Sequence, residues 1–383
     1  MFFYLSFLRP PPLQSATYGT ILITPQIAND LRTEPFDGSE DIFYAWSQFS
    51  GYSSSTREST TKPMKLTTWR QSSAYKEIPV PLPPGVRDGQ SWRLLLGGAR
   101  TQGSDFTAID LHDHALGRSP FPVISMPIQF GPRVLKKGTK QEQIERVYRL
   151  WPARGDEIPE ISLRLTEQTS FDLDKKIWDS GVGLSSWLVG LEENSVQTPG
   201  VEELKAVLFS SEPRNVLELG AGIGIVGLTL AALRSSKQTS EQDTVDRIIM
   251  TDLESAMPLL EQNMSTNKHH FLKLELEAAV LDWDNESLPD YIQEFPDGFD
   301  AIIMADVTYN TASFPSLVRT LSQLIRIGKK PPLVLMGYKE RHVEERTLWD
   351  LAQKVGVGFQ RIGEKAGAGG APVEVWLGQV QTR

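Results

Sequence analysis

Three glycines at alternate positions, directly after an apolar run, limit this chain to few folds. The segment Val216–Gly224 reads Val-Leu-Glu-Leu-Gly-Ala-Gly-Ile-Gly, and the apolar segment Ile225–Leu233 follows it. This order predicts a strand, a tight turn and a helix, as in an open parallel sheet. Glycine at such a turn lets backbone N–H groups and a ligand approach without an intervening Cβ atom. We therefore expect a ligand site at this turn.

The spacing of the glycines separates two classes of ligand. A dinucleotide site has the pattern G-x-G-x-x-G, which would need glycine where the chain has Ile225. Here Gly224 comes one residue early, and the acidic Glu218 precedes the first glycine. This spacing disfavours a pyrophosphate on the helix N-terminus and favours a smaller adenosyl ligand that carries an amine. Tight packing of the turn would also explain the glycines.

After residue 160, short apolar runs alternate with amphipathic segments. The apolar runs are Asn215–Leu219, Arg247–Thr251, Ala278–Leu281, Phe299–Ala305 and Leu333–Gly337. The helical segments are Ile223–Arg234, Ala256–Asn267, Phe314–Ile327 and Glu340–Val355. Alternation of this kind predicts βαβ units and a parallel sheet covered on both faces. Two final runs joined by a glycine-rich segment, Phe359–Ile362 and Val373–Val380, predict an antiparallel hairpin at the C-terminus.

Before residue 150, proline, glycine and serine interrupt almost every apolar run. We predict an irregular N-terminal extension over residues 1–150, with a mobile loop near residues 50–63 and one short helix over Gln141–Leu150. The second domain is predicted over residues 151–383. The basic segment Arg133–Arg154 is interpreted as solvated surface, and a docking patch for an acidic partner is the alternative.

Further strands of the predicted sheet end in residues that can contact a nucleoside. Asp252 ends an apolar run, where its carboxylate can accept hydrogen bonds from both ribose hydroxyls. A helix N-cap is the alternative role for Asp252. Trp283 can stack on an adenine ring, although packing is the commoner role of a tryptophan. Asp306 and Tyr309 follow the run Phe299–Ala305, so the same edge of the sheet receives them.

Composition excludes several classes of function. The chain has no cysteine and only five histidines, so we predict no disulfide, no cysteine nucleophile and no metal site. A net charge of −9 gives no global positive field for nucleic acid, and we expect no nucleic-acid partner. No run approaches the roughly 20 apolar residues of a membrane span, so no membrane partner is expected either. Because Met1–Arg9 lacks the basic region of a secretory signal, we expect a cytoplasmic monomer that can also be nuclear.

Four motifs in this order resemble the seven-β-strand S-adenosylmethionine-dependent methyltransferases. They read Glu-Leu-Gly-Ala-Gly-Ile-Gly, Thr-Asp-Leu-Glu, Leu-Asp-Trp and Ala-Asp-Val-Thr-Tyr. Within that group the chain is similar to the methyltransferase-like protein-lysine methyltransferases called family 16. Their Trp-Asp-Ala-Gly segment resembles Trp178–Gly181, and the segment Gly337–Arg341 also fits. The resemblance runs from about residue 161 to the C-terminus and leaves residues 1–150 uncovered.

The resemblance implies a Rossmann-like, seven-stranded α/β sheet and S-adenosyl-L-methionine as the methyl donor. It implies that donor contacts come from Trp178, Glu218, Gly220, Ala221, Gly222, Asp252, Trp283 and Ala305. Asp306 and Tyr309 match the family's Asp-x-x-Tyr motif and would be the catalytic residues near the methyl-accepting nitrogen. Glu340 is a weaker candidate for the same pocket. The implied activity is lysine N-methylation of a cytosolic protein such as a translation factor or chaperone.

Three alternative functions stay open at this point. Enzymes that methylate the adenine amino group commonly carry Asn/Asp-Pro-Pro-Tyr/Phe, whereas residues 306–309 read Asp-Val-Thr-Tyr without the prolines. A small-molecule methyltransferase is the second alternative, because one sequence does not reveal the walls of a pocket. The third is a non-catalytic protein that binds the donor and acts through partners.

Overall fold

The computed structural model describes residues 1–51, 59–98, 106–132, 140–151, 160–170, 172–193, 200–236, 246–271, 274–293, 295 and 297–381. The chain divides into two compact units. The first unit comprises Met1–Arg149, Arg164–Asp172 and Gly367–Gly369, and the second comprises Leu150–Leu163, Leu173–Ala366 and Gly370–Arg383. Much of the predicted loop near 50–63 and of the basic segment lies outside the described residues. The domain boundary at residue 150 stays a prediction.

The N-terminal region consists mainly of β-strands. Their bounds are β1 (Tyr4–Arg9), β2 (Gln14–Ser15), β3 (Thr20–Ala28), β4 (Ser39–Phe49), β5 (Met64–Arg70), β6 (Ile78–Pro81), β7 (Ser91–Gly98), β8 (Ala108–Asp110), β9 (Val123–Ser125), β10 (Ile128–Phe130), β11 (Gln143–Trp151) and β12 (Ile161–Gln168). One sheet has the order β1-β3-β6. A larger sheet has the order β12-β11-β9-β7-β10-β2, and β4 pairs with both β5 and β7. Trp46, Trp69 and Phe130 are buried in one apolar cluster of this region.

The prediction of an irregular N-terminal extension with a helix at Gln141–Leu150 is wrong in its secondary structure. Most of that segment lies in β11 (Gln143–Trp151), which is a strand. The sequence of this strand does not show the apolar and polar alternation of a strand, because Glu145 and Arg146 are charged and yet buried. Arg93 and Arg164 pair with Glu145 at 3.2 and 2.9 Å, so the strand carries ion-paired charges where an apolar residue would have revealed the period.

The second unit is an α/β sheet with helices. Its strands are β13 (Asn215–Leu219), β14 (Asp246–Asp252), β15 (Leu274–Val280), β16 (Ala301–Ala305), β17 (Leu333–Tyr338), β18 (Val357–Lys365) and β19 (Val373–Val380). Its helices are α1 (Asp179–Glu193), α2 (Val201–Phe209), α3 (Ile225–Ser235), α4 (Met257–Asn267), α5 (Asp290–Gln293), α6 (Phe314–Leu324) and α7 (Thr347–Lys354). The strand order is β15-β14-β13-β16-β17-β19-β18.

Strand direction in this sheet agrees with the sequence-based expectation. Neighbours from β15 to β17 are parallel, whereas β19 runs antiparallel to both β17 and β18. The prediction of an α/β methyltransferase sheet that ends in an antiparallel hairpin is therefore confirmed. Because parallel strands end at a shared edge, β13, β14, β15 and β16 deliver their last residues to one place.

Alternate residues of β13 face opposite layers of the unit. Leu217 and Leu219 belong to an apolar cluster with Phe314 of α6 and Leu348 of α7. Glu218 points the other way, because its carboxyl group contacts Gly227 in α3. The central strand is thus covered on both faces, and its carboxyl end is the point where the chain turns into α3.

Candidate functional site

The glycine turn after β13 has a backbone that other residues adopt with strain. Gly220, Gly222 and Gly224 have φ angles of +69°, +55° and +89°, in the left-handed region. A Cβ atom on Gly220 would stand 3.1 Å from Val307 Cγ1 and 3.4 Å from Trp283 Cζ2. The turn and Trp283, which the sequence separates by 63 positions, are therefore close neighbours, as predicted for two parts of one site.

Glu218 fixes the turn against the helix that follows it. Its Oε2 accepts a hydrogen bond of 3.0 Å from the backbone N–H of Gly227, in the first turn of α3. The side chain is buried, and burial raises the pKa of Glu218 to about 8. These contacts serve the architecture of the turn, and a donor contact by Glu218 stays a prediction.

Asp252 lies at the end of β14, next to the glycine turn. Its Oδ2 accepts the N–H of Gly222 and its Oδ1 accepts the N–H of Leu253, each at 2.7 Å. Burial raises the pKa of the Asp252 carboxyl, while these two N–H groups lower it. The alternative role as a helix N-cap is wrong, because the N-cap of α4 is Ala256. Each carboxylate oxygen has a second lone pair that a ribose hydroxyl can use.

Trp283 follows β15. Its buried Nε1 makes no hydrogen bond to any of the described residues. Its carbonyl oxygen accepts a bond of 2.8 Å from Arg319, which anchors the backbone there. A buried N–H without a partner, beside a glycine turn and a carboxylate, fits a site for a nucleoside. The donor group implied by the motifs thus matches the residues present.

Asp306, which is predicted to lie near the methyl-accepting nitrogen, is bonded to another side chain. It follows Ala305, the last residue of β16, with a φ of +60° that is unusual for a non-glycine residue. Both carboxylate oxygens contact the guanidinium of Arg341, with Nη2 at 2.7 Å from Oδ2. The two side chains are only 6% and 9% exposed, so this is a buried ion pair. The sequence assigned no role to Arg341.

Tyr309 is the other residue predicted to act on the acceptor nitrogen. Its side chain is about half exposed, with 53% of its surface accessible. Burial is the main cause that raises the pKa of its phenol, and the charges of Asp252, Asp306 and Asp174 raise it further. The residues predicted for donor binding and those predicted for catalysis therefore influence one another electrostatically, which is expected of one continuous site.

Trp178 borders this site from the segment before α1. Its Nε1 donates a hydrogen bond of 2.8 Å to the carbonyl of Leu173. Two cations lie over its ring, Lys176 Nζ at 4.1 Å and Arg341 Cζ at 5.3 Å from the centroid. Trp178 thus connects the entry to α1 with the Asp306–Arg341 pair.

The short 3₁₀ turn Leu173–Lys175 connects that segment to the glycine turn. Asp174 Oδ2 accepts a bond of 2.6 Å from Ser255 Oγ, and its carbonyl oxygen lies 3.8 Å from where a Cβ on Gly222 would stand. Sequence reasoning missed Asp174, as it missed Arg341. Glu340, the weaker candidate for the acceptor pocket, forms an ion pair with Arg346 at 2.6 Å.

Within the residues that the structure describes, no three His, Asp or Glu side chains are grouped so that they could hold a metal ion. No helix among them combines the length and the apolar character that a membrane crossing requires.

Comparison with known proteins supports the same interpretation. A family model described as lysine methyltransferase matches residues 157–355. A UPF0665 family protein of Schizosaccharomyces pombe is 29% identical over 49% of this chain and 49% of its own length. Protein-lysine N-methyltransferase EFM6 of Saccharomyces cerevisiae is 30% identical over 45% of this chain and 70% of its own. EEF1A lysine methyltransferase 3 of Xenopus tropicalis is 25% identical over 42% of this chain and 58% of its own length.

Among solved structures, a methyltransferase from Pyrococcus furiosus covers 51% of this chain and 92% of its own, with a TM-score of 0.32 and 15% identity. The fold assignment rests on the strand order of β13–β19 instead. The chain spans about half the length of the fission yeast relative. The family match, in contrast, covers more than half of the 383 residues, and it confirms the resemblance predicted from the motifs. The chain belongs to the lysine methyltransferase family, whose methyl donor is S-adenosylmethionine.

Proposed function

We propose that this chain is a protein-lysine N-methyltransferase that uses S-adenosyl-L-methionine and acts on a protein such as a translation factor. Two relatives are named as lysine methyltransferases, one of them for EEF1A. The observation that carries the proposal is that the glycine turn is bonded to Asp252 and lies against Trp283 and Val307, the residue that follows Asp306. That arrangement supports a donor site and an acceptor site that meet.

The donor would lie along the carboxyl edge of the sheet. Gly220 and Gly222 leave room for its amino-acid part, and the carboxylate of Asp252 would accept hydrogen bonds from its ribose hydroxyls. Trp283 offers an apolar face and an unused N–H to the base. Trp178 and Ala305 would border the methionyl part. When bound, S-adenosylmethionine supplies a methyl group on a sulfonium centre.

The acceptor lysine must arrive as a neutral amine. Its reference pKa is about 10.4, so the surroundings have to favour loss of the proton, which a desolvated pocket does. Tyr309 and Asp306 would then orient the amine for an in-line approach. The nitrogen lone pair forms the N–C bond while the C–S bond breaks, and that electron pair stays on sulfur. The positive charge therefore moves from sulfur to the methylated nitrogen.

Labelling of a cell lysate tests the proposal directly. We expect the purified chain, incubated with yeast lysate and donor tritiated on the methyl group, to label a protein band. Acid hydrolysis of that band should yield N-methyl-lysine. Label in the nucleic-acid or the acid-soluble fraction would instead identify one of the alternative enzymes. Calorimetric binding of S-adenosylhomocysteine without any label would favour the donor-binding scaffold.

A further inference from the structure

The ion pair between Asp306 and Arg341 has a consequence for the protonation of the acceptor amine. An unpaired carboxylate beside the acceptor would stabilise a lysine ammonium and raise its pKa. Only the neutral amine has the lone pair that attacks the methyl group. A carboxylate that stands alone would therefore hold the substrate in its unreactive form.

A guanidinium bonded through two nitrogens removes most of that effect. Both oxygens of Asp306 contact Arg341, so the pair has no net charge, yet each oxygen has a lone pair left to accept a hydrogen bond. The amine can then be oriented by Asp306 without being held as a cation. Arginine is suited to this task because its guanidinium stays charged at every working pH.

The structure holds Arg341 in place from two further directions. Its backbone N–H donates to Glu345 Oε2 at 3.1 Å, and its guanidinium lies near the ring of Trp178. Glu345 is itself buried, and burial raises its pKa. Among the described residues, the charged or titratable groups on the elements around the pair include Asp174, Lys176, Asp179, Asp252, Tyr309, Tyr338, Lys339, Glu340 and Arg346. Lys339 and Asp179 pair with each other at 2.5 Å and so add little net charge.

We propose that Arg341 is a positioning residue that cancels the charge of Asp306, so that the acceptor lysine loses its proton while Asp306 still orients it. This inference rests on the proposed function. Arg341 would not contact the transferred methyl group. Arg341 would act through Asp306, and its removal should leave the charge of the Asp306 carboxylate uncompensated.

Two donor analogues measure this charge without any protein substrate. Sinefungin has a primary amine where the donor has its sulfonium group, whereas S-adenosylhomocysteine has a neutral thioether there. In Arg341→Gln we expect the preference for sinefungin over S-adenosylhomocysteine to increase about tenfold, because a cationic amine now meets an unpaired carboxylate. The midpoint of the pH dependence of this preference should move up by about one pH unit.

Three variants distinguish the charge effect from a structural one. Arg341→Lys keeps the charge and should keep the wild-type preference, and Arg341→Gln combined with Asp306→Asn should return to it. Arg346→Gln removes an equal charge that pairs with Glu340 and Glu374, and should leave the preference unchanged. An unchanged preference in a folded Arg341→Gln protein, or an equally large increase in Arg341→Lys, overturns the proposal. Failure of every protein to bind S-adenosylhomocysteine would contradict the proposed function instead.

Discussion

Two aspartates of the candidate site follow the strands on either side of β13, and their bonding partners differ in charge. Asp252, after β14, accepts hydrogen bonds from the backbone N–H groups of Gly222 and Leu253. Asp306, after β16, is bonded to the guanidinium of Arg341. Neutral N–H donors hold a carboxylate in place and leave its charge, whereas a guanidinium holds it and cancels the charge. An aspartate can therefore suit either the methyl donor, which carries a positive charge, or the acceptor lysine, which must lose its positive charge.

Of the variants that test this comparison, the one that removes Asp306 should have the largest effect. In Asp306→Ala we expect methyl transfer to be lost and the free energy of unfolding to fall by about 3–5 kcal/mol, because the buried guanidinium of Arg341 loses its carboxylate. Tritium incorporation and urea denaturation measure the two effects.

A double variant separates stability from chemistry at this pair. Asp306→Ala with Arg341→Met replaces the ions by apolar groups and should recover most of the lost stability, since such replacements are often neutral. Methyl transfer should stay absent. Calorimetry should give an S-adenosylhomocysteine affinity close to that of the wild type. A donor affinity that falls more than about tenfold in either variant would show that Asp306 belongs to the donor site.

The donor side is tested by Asp252. In Asp252→Ala we expect the dissociation constant of S-adenosylhomocysteine to rise about 100-fold, because hydrogen bonds to a charged group contribute about 1.5–3 kcal/mol each. Asp300→Ala is the matched control. Asp300 also accepts a backbone N–H, that of Asn215 at 2.9 Å, but it precedes β16 at the opposite edge of the sheet. Equal losses of affinity in the two variants would assign the effect to stability.

The close approach of the glycine turn, Asp252 and Trp283 could be predicted from the sequence because its signals are local. The glycines follow Glu218 within one short segment, and Asp252 and Trp283 each come within two residues of the end of an apolar run. The end of each strand can therefore be recognised from the local sequence, and parallel pairing brings these ends together. Sheet direction and the final hairpin were predicted for the same reason.

The Asp306–Arg341 pair and the N-terminal strands could not be predicted in the same way. Arg341 reaches Asp306 across 35 positions, and a single arginine after a strand has no local sign of such a partner. In β11 the buried Glu145 and Arg146 occupy positions that a hydrophobic pattern would count as exposed. In both cases charged side chains are buried as ion pairs, whereas a prediction from residue polarity places charged side chains on the surface.

Glu218 extends the comparison to a buried carboxyl group, which accepts a hydrogen bond from the backbone N–H of Gly227. Burial raises its pKa from an ordinary value near 4.5 to about 8. The folded protein therefore binds this proton more tightly than the unfolded chain does. Its contribution to stability is full below about pH 4.5 and is lost as the pH rises to about 8.

Glu218→Gln should remove this loss, since the amide oxygen can still accept the N–H of Gly227 and has no charge to bury. We expect the stability of the variant relative to the wild type to improve by on the order of 2 kcal/mol between pH 5 and pH 9, measured by urea denaturation. Glu275→Gln is the control, because Glu275 is exposed on β15 and its change should stay within about 0.5 kcal/mol. A relative stability of Glu218→Gln that is flat with pH would mean that Glu218 is ionised in the folded state, and its carboxylate would then join Asp252 as a charge available to the donor.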